Sequence, residues 1–247
     1  FHGGTVAGAL TAINATLTRV NGVFEKDLAL HLIVQNYPNV IYTNPTTDPY
    51  SPSSQMNNWN LELQNTLTVN VGNANYDIGH LFGASGGGGN AGCIGCICLD
   101  PGSSNPSTGQ GKGSAYTSPS NGSPQGDTFD IDFVAHEMGH QLGGYHTFTY
   151  QNQGNSAQME PGSGSTIMAY AGVADSQGVT PPAGTTFNVQ LNSDAYFFKK
   201  SIDDIQAILA QRTCDIETNV TNNPPVIGPL PTSVSYTHLR AHETLRY

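Results

Sequence analysis

The amino-acid sequence predicts an α/β fold, and two observations predict it. Apolar residues recur at helical spacing in several separate stretches, and runs that read as extended lie between the first of them. Helix and strand therefore alternate through the first third of the chain, which favours a layered α/β architecture over an all-β one. The 247 residues suffice for one domain of about 200 residues with a sizeable core, plus a short appendage.

Val6, Leu10, Ile13, Leu17 and Val20 recur at steps of four, three, four and three, which places them on one helix face that Gly22 can end. Leu28 to Gln35 reads as a buried strand, with His31 as a satisfied core residue. A second helix near Gln55 to Val69 carries Met56, Trp59, Leu63 and Leu67, and Tyr76 to Phe82 then reads as extended. From Gly83 to Asp127 more than half the residues are Gly, Ser or Pro, too long and irregular for an ordinary connection. That stretch reads as a surface loop pinned by its cysteines and bordering a cleft. Thr128 to Leu142 is helical by pattern, with Phe129, Phe133, Val134, Met138 and Leu142 facing a core and Asp127 as N-cap. A last helix, about Ala195 to Arg212, carries Phe198, Ile202, Ile205 and Leu209 and ends near Cys214, where the domain stops; Asp203 and Asp204 form its solvated face.

The expected division is a domain over 1–214, with subdomains 1–143 and 144–214, then a linker over 215–236 that opens a truncated β-rich module. Asn222-Asn223-Pro224-Pro225 has linker chemistry, and the His- and Arg-rich end over 237–247 reads as a non-native tail. The chain opens at Phe1 without a charged-then-apolar leader, so it reads as a piece of a longer precursor, with a propeptide and downstream modules outside it.

Composition excludes several functions. Lys and Arg number 8 against 18 Asp and Glu, a net charge of -10, so counterion-release binding to nucleic acid and polybasic attraction to an anionic membrane both lack their cations. The longest apolar run, Leu28 to Val34, is interrupted by His31 and falls far short of the roughly 20 residues that span a bilayer. The chain therefore reads as soluble. Abundant Gly, Ser, Thr and Asn, little Lys, and cysteines at 93, 96, 98 and 214 suit an extracellular protein with one or two disulfides. Three full pairings remain open, and the Cys93, Cys96, Cys98 cluster is alternatively a soft-metal site.

The chemistry concentrates in His136-Glu137-Met138-Gly139-His140. Two imidazoles at i and i+4 lie one turn apart on one helix face and can reach a single zinc ion. Gly143 lets the chain leave the helix in a conformation closed to other side chains, so that His146 can swing back to the same metal. Three neutral nitrogens leave a fourth position for water, as catalytic zinc requires, and Glu137 beside the first ligand can accept that water's proton.

The extended motif His136 to His146, followed by Ser165-Thr166-Ile167-Met168-Ala169-Tyr170, is the metzincin signature. Thr147-Phe148 and the run Glu160 to Tyr170 further resemble bacterial reprolysin-like (adamalysin-related) metallopeptidases, over about Thr5 to Cys214. The resemblance implies a metzincin-type catalytic domain: a twisted mixed sheet with one antiparallel strand at the cleft edge, an active-site helix, and a small lower subdomain after Gly143. It implies a secreted, monomeric zinc endopeptidase acting on proteins or peptides, with Met168 as an apolar floor beneath the ligands. It also places Tyr76 to Phe82 along the upper cleft rim, where an extended peptide could pair with the strand edge; His80 itself reads as structural or exposed.

Two departures stand out. Animal reprolysins usually carry Asp where this chain has Thr147, which sets it nearer the bacterial branch. The Met168-x-Tyr170 spelling also occurs in astacins and serralysins, whose Tyr stabilises the tetrahedral intermediate; the other reading of Tyr170 is a packed ring. A calcium site on the acidic surface is left open. The rival to an endopeptidase is an extracellular binding or adhesion module that keeps zinc but has little turnover.

Overall fold

A computed structural model describes residues 1–102, 109–218 and 228. Its principal elements are α1 (Val6–Leu28), α2 (Trp59–Asn70), β1 (His80–Phe82), β2 (Gly88–Asn90), β3 (Ala115–Ser118), α3 (Asp127–Phe129), α4 (His136–Leu142) and α5 (Lys199–Leu209). A π-helical segment, Asp130–Ala135, joins α3 to α4. Phe1–Asp215 forms one compact unit. The expected linker at Asn222 to Pro225 and the tail from Thr237 lie outside the described residues, as does all of the expected β-rich module from Val226 except Gly228.

The fold is mixed α and β, as predicted. Three strands form a sheet in the order β1-β3-β2. β1 runs parallel to β3, pairing His80 with Ala115, whereas β2 runs antiparallel to it, pairing Asn90 with Tyr116. The sheet is therefore mixed, with one antiparallel edge.

α1 starts where the Thr5 hydroxyl accepts the Gly8 N–H at 3.0 Å. It does not end at Gly22. Its buried stripe continues through Val23, Phe24 and Leu28, which outweighs the cost of about 1 kcal/mol for an interior glycine. The end comes at Ala29, in the left-handed region at φ 54, where the Ala29 and Leu30 N–H groups close on Glu25 and Phe24 carbonyls.

Leu28 to Gln35 is not a strand. Leu28 is the last residue of α1, and beyond it Leu30, Leu32 and Val34 turn inward while His31, Ile33 and Gln35 face solvent. The alternation of a strand is present, yet both backbone groups of Leu32 bond the Asn21 side chain, at 2.8 and 2.9 Å, so a helix amide stands where a neighbouring strand would be. His31 is exposed and pairs with Glu25 at 2.5 Å, which corrects its reading as a core residue.

The Gly-rich stretch after Gly83 is also more than a loop. It supplies the edge strand β2 and the central strand β3, whose four residues are all buried. Small residues suit the approach to β3 because α2 lies close: a methyl on Gly113 would come within 3.1 Å of the Gln64 and Leu67 side chains.

One core unites α1, the π segment, α4 and α5. Val20, Phe24, Ile131, Val134, Met138, Leu142, Ile167, Met168, Phe197 and Ile205 share it. The N-cap of α3 is Gly126 rather than Asp127, because the Asp127 carboxylate is held by both nitrogens of the Arg19 fork, at 2.8 and 3.0 Å. Asp203 pairs one turn back with Lys199 on the exposed face of α5, whereas Asp204, expected on that face, is partly buried with Lys200.

The cysteines pair as Cys93–Cys96 and Cys98–Cys214. Both disulfides use the cluster, so its reading as a soft-metal site is overturned. The loop they close caps α4: Gly95 N–H donates to the His140 carbonyl at 2.8 Å and Ile97 N–H to that of Gln141 at 3.1 Å.

Candidate metal centre

Seven residues of α4, all buried, carry the first two histidines and Glu137. Gly143 ends the helix at φ 120 and donates its N–H to the Gly139 and His140 carbonyls. A methyl there would meet Ile208 at 2.6 Å in a backbone region that side chains disfavour, so both space and conformation require glycine. The chain turns, and His146 comes back over the helix.

The three imidazoles converge by their Nε2 atoms, which lie 3.1 Å (His136 to His140), 3.0 Å (His140 to His146) and 3.3 Å (His136 to His146) apart. The opposite ring nitrogens are committed elsewhere. Nδ1–H of His136 donates to the Ile167 carbonyl at 2.6 Å, that of His140 to Gly144 at 2.7 Å, and that of His146 to the Gln153 side chain at 3.2 Å. With the proton on Nδ1, each Nε2 presents a lone pair, and three lone pairs at this spacing repel unless a cation lies between them. Nitrogens at about 2.0–2.1 Å from a tetrahedral ion sit roughly 3.3–3.4 Å apart, so the donor set fits zinc.

Electrostatics agree with neutral ligands. Burial, followed by the neighbouring His146, pulls the His136 pKa down to about 3, and burial with both neighbours pulls that of His140 well below the usual imidazole range. His146 is lowered as well, chiefly by burial. A metal needs these rings deprotonated, and the fold holds them so. Among the described residues this is the one group of three or more His, Cys, Asp or Glu side chains placed to hold an ion together.

Glu137 lies beneath β2. A methyl on Gly89 would come within 2.5 Å of its carboxylate, so the edge strand passes directly over this side chain because Gly89 has none. Sequence reasoning missed Gly89, one of four consecutive glycines that read only as loop; their location just ahead of the cysteine cluster was the sole available hint. It also placed the cleft-edge strand wrongly. β1, within Tyr76 to Phe82, lies at the opposite edge of the sheet from β2. His80 is a structural clamp, bonding Gln141 of α4 at 2.9 Å and Thr117 of β3 at 2.8 Å, and burial lowers its pKa to about 4.

Met168 is fully buried, and its sulfur packs under the helix where methyls on Gly139 and Gly144 would come within 2.5 and 3.3 Å. The Tyr170 ring stands 4.6 Å from His146 and from Phe148 and 5.6 Å from His136. Burial, then the nearby Glu137, raises its pKa.

A model of the metallopeptidase family M12B, reprolysin-like, matches residues 1–196. The chain belongs to this family. No curated protein matches it. The family match ends at Tyr196, before α5, short of the Cys214 to which the sequence resemblance extends. As a reprolysin-like metallopeptidase, the protein depends on a metal and hydrolyses peptide bonds of proteins or peptides. Among the described residues, no helix is long and apolar enough to cross a membrane.

Burial also pushes the Glu137 carboxyl up to about 8, against an opposing backbone hydrogen bond from Ala91. A folded pKa above the unfolded value of about 4.5 means stability fully present below pH 4.5 and lost as pH rises through 8. In the metal-free metallopeptidase, Glu137→Gln is therefore expected to gain on the wild type with rising pH, by up to about 4 kcal/mol at pH 8. Urea melts of both proteins from pH 5 to 8 measure the gap. A gap that stays constant would refute a desolvated carboxyl.

Proposed function

We propose that this metallopeptidase is a secreted zinc endopeptidase in which His136, His140 and His146 hold one zinc ion and Glu137 serves as general base and then acid. The observation that carries the reading is the convergence of three Nε2 lone pairs, each ring fixed by an acceptor on its far nitrogen. Zinc bound there supplies a Lewis acid that activates water and polarises the scissile carbonyl.

Glu137 takes the proton of the attacking water and returns it to the leaving amine. β2, glycine-rich above Glu137, offers a strand edge without side-chain obstruction, so an extended substrate lies along it with a peptide bond over the carboxylate. Met168 seats α4 from below. Tyr170 packs against two of the three histidines, and its hydroxyl would stabilise the developing oxyanion by a hydrogen bond. Two disulfides fit action outside the cell. The catalytic domain spans residues 1–214, with the upper part ending at Gly143.

Zinc analysis beside cleavage of a denatured, fluorescently quenched protein tests the reading. One zinc per chain and internal cleavage stopped by a chelator and restored by added zinc are expected. Zinc bound without cleavage at neutral pH would leave a binding module in its place.

A further inference from the structure

Glu160 is a buried carboxylate, 6% exposed, and among the described residues it forms no ion pair. It accepts four hydrogen bonds instead. One oxygen takes the backbone N–H groups of Ser165 (2.9 Å) and Thr166 (3.1 Å); the other takes the hydroxyls of Thr147 and Thr166. The backbone repeats the link, since Glu160 N–H donates to the Thr147 carbonyl at 2.8 Å and the Thr149 hydroxyl donates to the Glu160 carbonyl at 2.9 Å. Gly164, at φ 67, is what lets the turn fold over the carboxylate, because a methyl there would come within 2.9 Å of the Glu160 side chain.

Both segments that this carboxylate joins lead straight to the histidines. Thr147 follows His146 directly, and Thr166 precedes Ile167, whose carbonyl orients His136. The two segments meet again where Thr147 N–H donates to the Met168 carbonyl at 3.1 Å. Burying a carboxylate is costly and an apolar side chain would fill the space at less cost, so its four bonds set geometry rather than merely occupy volume.

We infer that Glu160 is a positioning residue that locks the segment after His146 to the turn carrying Ile167 and Met168, and so sets the spacing of the first and third metal ligands. The inference rests on the zinc reading above. Thr147 is part of the same device: its hydroxyl reaches the carboxylate that bridges to the turn.

The test compares Glu160→Leu, Glu160→Gln and Thr147→Val with wild type, using zinc affinity by competition with a chromophoric chelator and the visible spectrum of the cobalt(II)-loaded proteins. Glutamine can still accept from the two N–H groups while its amide donates to the two hydroxyls; leucine can do neither. Glu160→Leu is expected to weaken zinc binding about tenfold to hundredfold and to shift the cobalt spectrum, with Glu160→Gln restoring most of both. Should the leucine variant not fold, Thr147→Val, which removes one hydroxyl at constant shape, is expected to weaken zinc binding several-fold. Leucine and valine variants that match wild type in affinity and spectrum would overturn the positioning role alone. A wild type that binds no zinc would overturn the metal reading with it.

Discussion

Replacing Glu137 by Gln lowers the rate of protein cleavage by an expected 10²–10⁴-fold, about the contribution of a positioned general base, while the protein still binds one zinc. The substitution is nearly isosteric, so the contact under Gly89 survives and only proton transfer is lost. Since the group acts in the chemical step, kcat should fall with KM little changed. Steady-state kinetics on a quenched substrate, paired with metal analysis, check this. Loss of zinc together with activity would mean that Glu137 supports the site rather than the reaction.

His140→Ala removes the central imidazole of the proposed zinc site. Its Nε2 lies within 3.1 Å of both other histidine nitrogens, and its Nδ1 proton is fixed by the Gly144 carbonyl in the turn that brings His146 round. Protein zinc sites bind with about 10–16 kcal/mol, so one of three or four ligands accounts for roughly 3–4 kcal/mol, a several-hundredfold loss of affinity. Cleavage should vanish at ordinary zinc concentrations, and dialysis against buffer should strip the metal from the variant but not from the wild type. Retention of zinc and activity would show that the ion is held elsewhere. Cleavage lost with zinc retained would assign His140 to catalysis instead of binding.

Much of the centre was legible from local spacing. His136 and His140 share a helix face whatever surrounds them, and Gly143 sits where a helix must break for His146 to return; these relations span only eleven residues, so the backbone geometry of one turn settles them. The helical stripes were legible for the same reason, although α1 ran beyond Gly22 because propensity yields to buried contacts made by Val23, Phe24 and Leu28. Strands fared worse. A run such as Leu28 to Gln35 alternates as a strand does, yet whether it pairs depends on a neighbour, here the Asn21 side chain.

The sequence by itself determined the metallopeptidase class and nominated the three histidines and the carboxylate, because that chemistry is encoded in spacing within a single helix and turn. Tertiary structure alone decided what surrounds them: that β2 is the strand over Glu137, that Cys93 pairs with Cys96 and Cys98 with Cys214, and that Glu160 ties the segment after the third histidine to the turn beneath the site. Each of these joins residues distant along the chain or leaves several partners open. Packing chooses among those partners, and short-range periodicity carries no record of the choice.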